Sequence, residues 1–441
     1  MNARRKQTGA ATLVVVMVLF FIISLVAAYT SRNLIFEQRT SANQYRSTQA
    51  LEAAEAGLEW AISMLNFGRI SDSCLKSSSA ADTSFRQRYL NVNATTGKIT
   101  PVLSAGASLT PACVRTPTGW DCKCLDSGVP SLTAPTDPGV WPAFRVRFMV
   151  AGADPATPTE PRQPGTIRAE VVGCTRVDPS GGDQCLSFDG RGALNEGRVL
   201  LSAVLALTGG PAGLPVATLT AGGPVNAPLT VANTSPSGSG ITVHARNAID
   251  SSMITSLSTT PGTPAANSII ENDTALNLPA VGTFTTPDRM FASFFNMRLE
   301  TFRTQQAALV VDCPSGCSAA AVNTAISLNP HRPLWLTGPL NADANIGTAA
   351  EPVLIVVNGG LKFTSASAKI HGMVYNRLDP AAGLSAWATD GAGEVIGAVV
   401  AEGGVSGTGT STLTYDADVL ALVRHNVGTF VRAPGSWRDF R

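Results

Sequence analysis

The stretch Arg4-Arg5-Lys6-Gln7-Thr8-Gly9-Ala10-Ala11-Thr12-Leu13 opens a run that reaches Tyr29 with no charged residue after Lys6. A secretory signal carries its small-residue cleavage site after the apolar core. Here the small-residue break comes before it. A cut after Gly9 removes the basic leader 1–9 and leaves Ala10 at the start of the apolar segment. Ala10 to Tyr29 is about 20 residues, or roughly 30 Å of helix, the thickness of one bilayer core. The basic leader places the N-terminus in the cytoplasm, so a single pass through the membrane puts everything after Tyr29 on the periplasmic or extracellular side.

The helix is expected to run on past the membrane. No proline occurs before Pro101, and no glycine lies between Gly9 and Gly57. Leu51, Ala54, Leu58, Ile62 and Leu65 recur at steps of three and four and line one face. Glu52, Glu55 and Glu59 fall on another. Phe67-Gly68 supplies the stop, with glycine as the C-cap. The reading is one helix over 10–66, half in lipid and half covering a head.

The rest of the chain has a different character. It has 441 residues, 41 Gly, 28 Pro, 44% apolar and 14% charged residues, and a net charge of +1. Near-neutral charge argues against nucleic acid as a partner, and the glycine and proline content suits turn-rich β structure. Residues 67–208 are expected to form a small head, with strands at Phe144–Val150, Thr166–Cys174 and Gly197–Leu207. Gly209-Gly210-Pro211 marks a boundary, and 209–441 reads as a C-terminal β-rich domain. There Ile370-His371-Gly372-Met373-Val374 and Val395-Ile396-Gly397-Ala398-Val399 share one pattern. With Val356, Val374 and Val399 set as equivalents, the steps suggest rungs of a parallel β-helix; a β-sandwich stays open. A helix over about 287–310, capped by Thr286 and started by Pro287, carries a stripe of phenylalanines expected in the core. The fold class is α+β.

Eight cysteines behind a membrane-crossing helix face an oxidising compartment, so disulfides are expected. Cys174 with Cys185 and Cys313 with Cys317 bracket short turns. Cys74, Cys113, Cys122 and Cys124 leave three connectivities open. Cys122-Lys123-Cys124 is not a zinc spacing, and the four histidines are scattered, so no metal site is expected. No catalytic motif is found. Asp416 and Asp418, the one acid pair weighed, are read as a solvated strand end or a turn. The expectation is no enzyme, no catalytic residue and no cofactor.

Gln49-Ala50-Leu51-Glu52-Ala53-Ala54-Glu55-Ala56-Gly57-Leu58-Glu59, together with the leader and the apolar run, resembles the N-terminal segment of PilX-type minor pilins of type IV pili. The resemblance covers residues 1–66. It implies cleavage after Gly9 and N-methylation of Ala10 by a prepilin peptidase, then passage from the inner membrane into an extracellular pilus. Implied partners are other minor pilins, the major pilin and a PilY-type tip adhesin, with pilus assembly, adhesion or motility as the outcome. Glu52 and Glu55 are candidate assembly contacts. Major pilins of this kind carry glutamate as the fifth residue after the cut, where this chain has Val14. A carboxylate at membrane depth costs about 2.5–3.5 kcal/mol unless paired, so valine fits a subunit with no neighbour above it, at or near the tip. A GspK-like tip pseudopilin of type II secretion and a pilin-anchored adhesin or glycan-binding protein remain alternatives.

Overall fold

The computed structural model describes residues 9–79, 81–133, 135, 141–152, 163–177, 185–188, 196–276, 278, 285–305, 307–377, 385–389 and 391–438. Residues 1–8 of the leader, with Arg4, Arg5 and Lys6, lie outside the described residues.

Helix α1 runs Gly9–Leu65 without a break, as a stretch free of proline allows. Among the described residues it is the one helix long and apolar enough to cross a membrane. It ends in two tightened bonds, Asn66 N–H to Ser63 C=O and Phe67 N–H to Met64 C=O. Gly68 follows without a left-handed φ. It is not the C-cap expected from sequence. A side chain there would overlap the Leu328 carbonyl, so close approach of another helix is what requires glycine.

The head is an antiparallel sheet laid on the second half of α1. In spatial order its strands are Thr429–Arg432, Arg198–Thr208, Thr166–Cys174, Ala143–Met149, Ala112–Thr116 and Gly119–Lys123. Leu58 and Leu65 of α1, Phe85 and Tyr89 of the short helix α2 (Phe85–Tyr89), and Phe144, Phe148, Val171 and Leu205 form one core. Cys74 pairs with Cys124, Cys113 with Cys122, and Cys174 with Cys185. The cross-strand bridge Cys113–Cys122 joins two residues directly opposite in adjacent strands, a proximity invisible before the register is known.

The C-terminal region is a parallel β-solenoid. Leu309–Val311 pairs with Leu334–Leu336, then Val353–Asn358, Lys369–Arg377 and Glu394–Ala401 follow as neighbours, all parallel. The next neighbour in space is Leu219–Ala221, the first strand of the region, followed by Val243–Ala245 and Ile269–Ile270. The chain therefore enters the stack in its middle, builds outward, crosses over, and returns from the far end until its last rung docks on its first. Parallel pairing rules out the sandwich.

Two expectations shift in this region. Val374 does face Val399, but its other partner is Ile355, not Val356. A one-residue slip turns a strand over: Ile355 points into the solenoid core, whereas Val356 packs outward under helices. Val353-Leu354-Ile355-Val356-Val357 is buried on both faces, and that is why its unbroken apolar run gave no alternation from which to set register. The expected helix over 287–310 is two helices, α3 (Thr286–Phe295) and α4 (Leu299–Thr304), broken where Asn296 turns left-handed at φ 51°. The cap of α3 is Thr285, which accepts from Asp288 N–H while the Asp288 carboxylate accepts from Thr285 N–H. Phe291, Phe295 and Phe302 pack on Tyr375 and Trp335 of the solenoid wall. Helix α5 (Ala319–Leu328) begins just after the Cys313–Cys317 bridge and buries Ala319 and Val322 in the solenoid core. Helix α6 (Ala417–Asn426) is capped by Asp416, whose carboxylate accepts from the N–H groups of Asp418 and Val419. The Asp416/Asp418 pair thus lies just past the strand Ser411–Tyr415, as expected, and also starts α6.

A boundary at 209 does not separate head from solenoid. After α6 the chain returns to the head, and Thr429–Arg432 becomes an edge strand paired with Arg198–Thr208. Arg86 of α2 locks this return. Its guanidinium donates to the carbonyls of Leu65 (3.3 Å), Asn426 (2.9 Å) and Gly428 (2.8 Å) and lies over the Phe430 ring. Leu65 closes α1 and Asn426 closes α6. The cation sits where two helix C-termini converge, the end that favours positive charge. Burial pushes its pKa down to about 9, still high enough to stay charged at neutral pH. Asn66 completes the joint: its side-chain amide accepts from Phe430 N–H (2.7 Å) and donates to Phe430 C=O (2.8 Å), occupying the outer edge of the return strand.

His331 lies beside this lock. Its carbonyl accepts from Gly428 N–H at 2.7 Å, and its Nδ1 is 3.1 Å from the Asn426 amide nitrogen. Burial, and secondly the charge on Arg86, push its pKa down to about 3. An unfolded histidine takes a proton below about pH 6.5, while the folded ring stays neutral until about 3. The unfolded state then binds more protons, so stability falls as pH drops through that window, by about 1.4 kcal/mol per pH unit for one such group. His331→Asn keeps a residue tolerant of its φ of 65°. Urea unfolding of the full chain in detergent between pH 7 and 4.5 should show a smaller acid loss for this variant; an identical slope rules His331 out as a source.

Gly397 stacks on Gly372 in the solenoid wall. It has φ 137°, and a Cβ there would overlap the Gly372 carbonyl. Gly397→Ala should therefore cost about 2–3 kcal/mol, read as a lowered urea midpoint. An unchanged midpoint would show that the rungs can separate to admit a methyl group.

Candidate functional site

The residues of α1 stand out as available for function, because among the described residues nothing covers its first half. From Thr12 to Tyr45 every side chain is exposed, including Val14 at 59%, Phe20 at 72% and Phe36 at 73%. So long an exposed apolar helix is stable only in lipid or against other helices. Val14 lies in this bare stretch. Gly9 starts α1, and Ala10 follows within its backbone.

The second half of α1 is built for close approach. Ala50, Ala53, Ala54, Gly57, Leu58 and Ala61 are buried against the head sheet. At Gly57 a Cβ would lie 2.7 Å from the Phe144 ring and from Val171, and at Gly173 it would run into the α1 backbone at Ala50 and Ala54. Small residues on the helix and a glycine on the strand bring the two backbones together. This explains the Ala-Ala-Glu-Ala-Gly part of the motif physically. Ala53, Ala54 and Gly57 face the sheet, Ala56 is half-buried at its side, and Glu52, Glu55 and Glu59 face away, exposed. Glu59 meets Arg432 of the return strand at 3.7 Å.

The other sequence candidates lie elsewhere. All eight cysteines are joined in four disulfides, including Cys174–Cys185 and Cys313–Cys317. Among the described residues no group of three or more His, Cys, Asp or Glu is placed to hold a metal. His244 bonds Asp273 at 2.6 Å on the solenoid surface, far in sequence from the other histidines. Arg86, Asn66 and His331 had no motif to mark them, because partners such as Asn426, Gly428 and Phe430 come from 95 or more residues away in the chain.

A family model described as PilX N-terminal matches residues 8–59. No curated protein matches the chain. Among solved structures, the crystal structure of the competence-associated pilin ComZ from Thermus thermophilus aligns over 89% of this chain and 97% of that one. The identity is 10% and the TM-score 0.22, a superposition too loose to argue from.

Gly57→Val should push α1 off the sheet. Overpacking of this kind costs about 1–3 kcal/mol, measurable as a lower melting temperature and as faster proteolysis of the head. A variant as stable as the parent would show that Phe144 and Val171 yield without cost. The small-residue face, the bare apolar half and the match over 8–59 to the PilX N-terminal model fall on one continuous helix.

Proposed function

We propose that this chain is a minor pilin that helps to start or cap a type IV pilus and displays a β-solenoid at the fibre surface for adhesion or motility. The single observation that carries this is α1. Its apolar half is bare and its other half is fixed to a head, the form needed for a subunit that leaves lipid for a bundle of like helices.

In this reading a prepilin peptidase cuts after Gly9 and N-methylates Ala10, with the N-terminus in the cytoplasm and the head in the periplasm. Other minor pilins, the major pilin and a PilY-type tip adhesin are the partners. Val14 supports a place at or near the tip, since a carboxylate there gains nothing without a subunit above to neutralise it. Disulfides in both head and solenoid suit a protein that ends outside the cell. The mechanism is assembly and display, with no catalytic step.

Intact mass and N-terminal sequencing of the protein from membranes and from sheared pili test this. The expected chain begins at N-methylated Ala10 and is present in the sheared fibres. A chain that keeps Met1 to Gly9 and is absent from fibres would make it an ordinary anchored protein.

A further inference from the structure

A cleft of about 310 Å³ lies where the head meets the solenoid. Arg69, just past the end of α1, and Gln87 of α2 form the head side. Asn323 of α5 and the solenoid turn that carries Asn345, Thr348 and Glu351 form the other. The size falls at the lower end of the range for small-molecule sites, about 300–1,000 Å³. Its walls come from opposite halves of the chain, so the cleft exists only once the solenoid is closed onto the head.

The polar side chains of the cleft are held in place yet incompletely used. Asn323 donates from Nδ2 to the Asn345 carbonyl at 2.8 Å, and its Oδ1 has no partner among the described residues. Asn345 Oδ1 accepts from Lys369 N–H at 2.9 Å, which leaves its Nδ2 to donate. Glu351 Oε1 accepts from the Gln87 amide at 2.5 Å, and its Oε2 is unengaged. Thr348 Oγ1 accepts from Glu351 N–H at 3.0 Å and keeps its own proton to give. Arg69 is half-buried, and its guanidinium has neither a hydrogen bond nor an ion pair among the described residues. It lines the same cleft as Glu351, yet the two do not pair. Groups oriented in advance in this way lose little freedom when they bind.

We propose that this cleft binds one acidic sugar, a hexuronate unit, with its carboxylate on Arg69 and its hydroxyls on Glu351, Asn323, Asn345 and Thr348. The unengaged groups are a cation, two acceptors and two donors. A carboxylate satisfies the cation in a charge-assisted bond. Ring hydroxyls both donate and accept, so they suit the mixed remainder. A phosphate would bring up to a second negative charge beside Glu351. A neutral sugar would leave Arg69 unpaired, and no aromatic ring lines the cleft for it to stack on. An α-amino acid has one ammonium group for the acceptors and nothing beyond its carboxylate for the two donors. Bound across the joint, the sugar ties Arg69 of the head to the solenoid turn. Its source, a surface glycan met by the displayed solenoid, rests on the pilin reading; the binding itself does not.

The test is a ligand-observed NMR titration of the full-length protein in detergent with methyl β-glucuronide and methyl β-galacturonide. At least one of the two should bind, and methyl β-glucoside, sodium acetate and free glutamate should bind about tenfold more weakly or not at all. Arg69→Gln should lower the uronide affinity about tenfold, and Arg69→Lys, which keeps the charge, should recover most of it. Glu351→Gln keeps an acceptor for Gln87 but turns the free oxygen into a donor, so it too should weaken binding. Recovery by Arg69→Lys separates a lost contact from a damaged joint. No binding of either uronide at about 10 mM, equal binding of acetate, glutamate or the neutral glucoside, or full affinity in Arg69→Gln would each overturn the proposal. Uronide binding by a protein that keeps Met1 to Gly9 and is absent from sheared fibres would uphold the site and sink the pilus reading.

Discussion

The solenoid is held by both of its ends to one sheet, and the rest of the molecule depends on that closure. Arg198–Thr208 leads out of the head and Thr429–Arg432 leads back, and the two are neighbours paired by backbone hydrogen bonds. Arg86 makes the closure stable. A buried cation without a carboxylate would be costly, yet three carbonyls converge on it, two of them ending helices. The lock joins α1, α2, α6 and the return strand in one polar contact. Its removal would leave three carbonyls short of a donor and Phe430 without its cation.

A domain tethered at one end swings, whereas one tethered at two adjacent strands cannot turn without breaking the sheet. Asn66 sets the angle further by tying the end of α1 to Phe430 of the return strand. Gln87 of α2 reaches Glu351 of the solenoid at 2.5 Å, and Gly68 admits the end of α5. Orientation along α1 is thereby transmitted to the solenoid through packed backbone rather than through a linker. Within the solenoid the docking of the last rung on the first performs the same service, since neither half of the stack has a fully covered face without the other.

Local patterns in the sequence carried the local structure. The proline-free run gave α1 nearly to its ends, alternation gave the central head strands, and the shared glycine pattern gave the correct pairing of Gly372 with Gly397. Failure came where an element's identity is decided by a distant partner. Thr429-Phe430-Val431-Arg432 is four residues long, too short for a period, and is a strand only because Arg198–Thr208 offers it an edge. Val356 was set one residue out of register because both faces of its strand are buried. The Cys113–Cys122 bridge follows from an antiparallel register that spacing does not reveal. In the candidate site the motif residues of α1 were legible, but the reason for Gly57 was not, because it lies in Phe144 and Val171 of other elements.

Val14 and the charged residues of α1 bear on one another. A subunit waiting in the membrane must hold any carboxylate in the apolar run without a partner, at a cost of about 2.5–3.5 kcal/mol. Charges beyond Tyr29 carry no such cost, because water solvates them until a neighbour arrives. This chain has an apolar residue at position 14 and places exposed charges, from Arg32 to Glu59, beyond the apolar run. On the pilin reading proposed above, a helix arranged in this way gives up a strong, buried selection for a neighbour in exchange for a weak, screened one spread over several pairs. Such a selection discriminates among positions of the neighbour more than among affinities, because each wrong shift opposes like charges or leaves them unmatched. On that reading the specificity of α1 belongs to its polar half, next to the head.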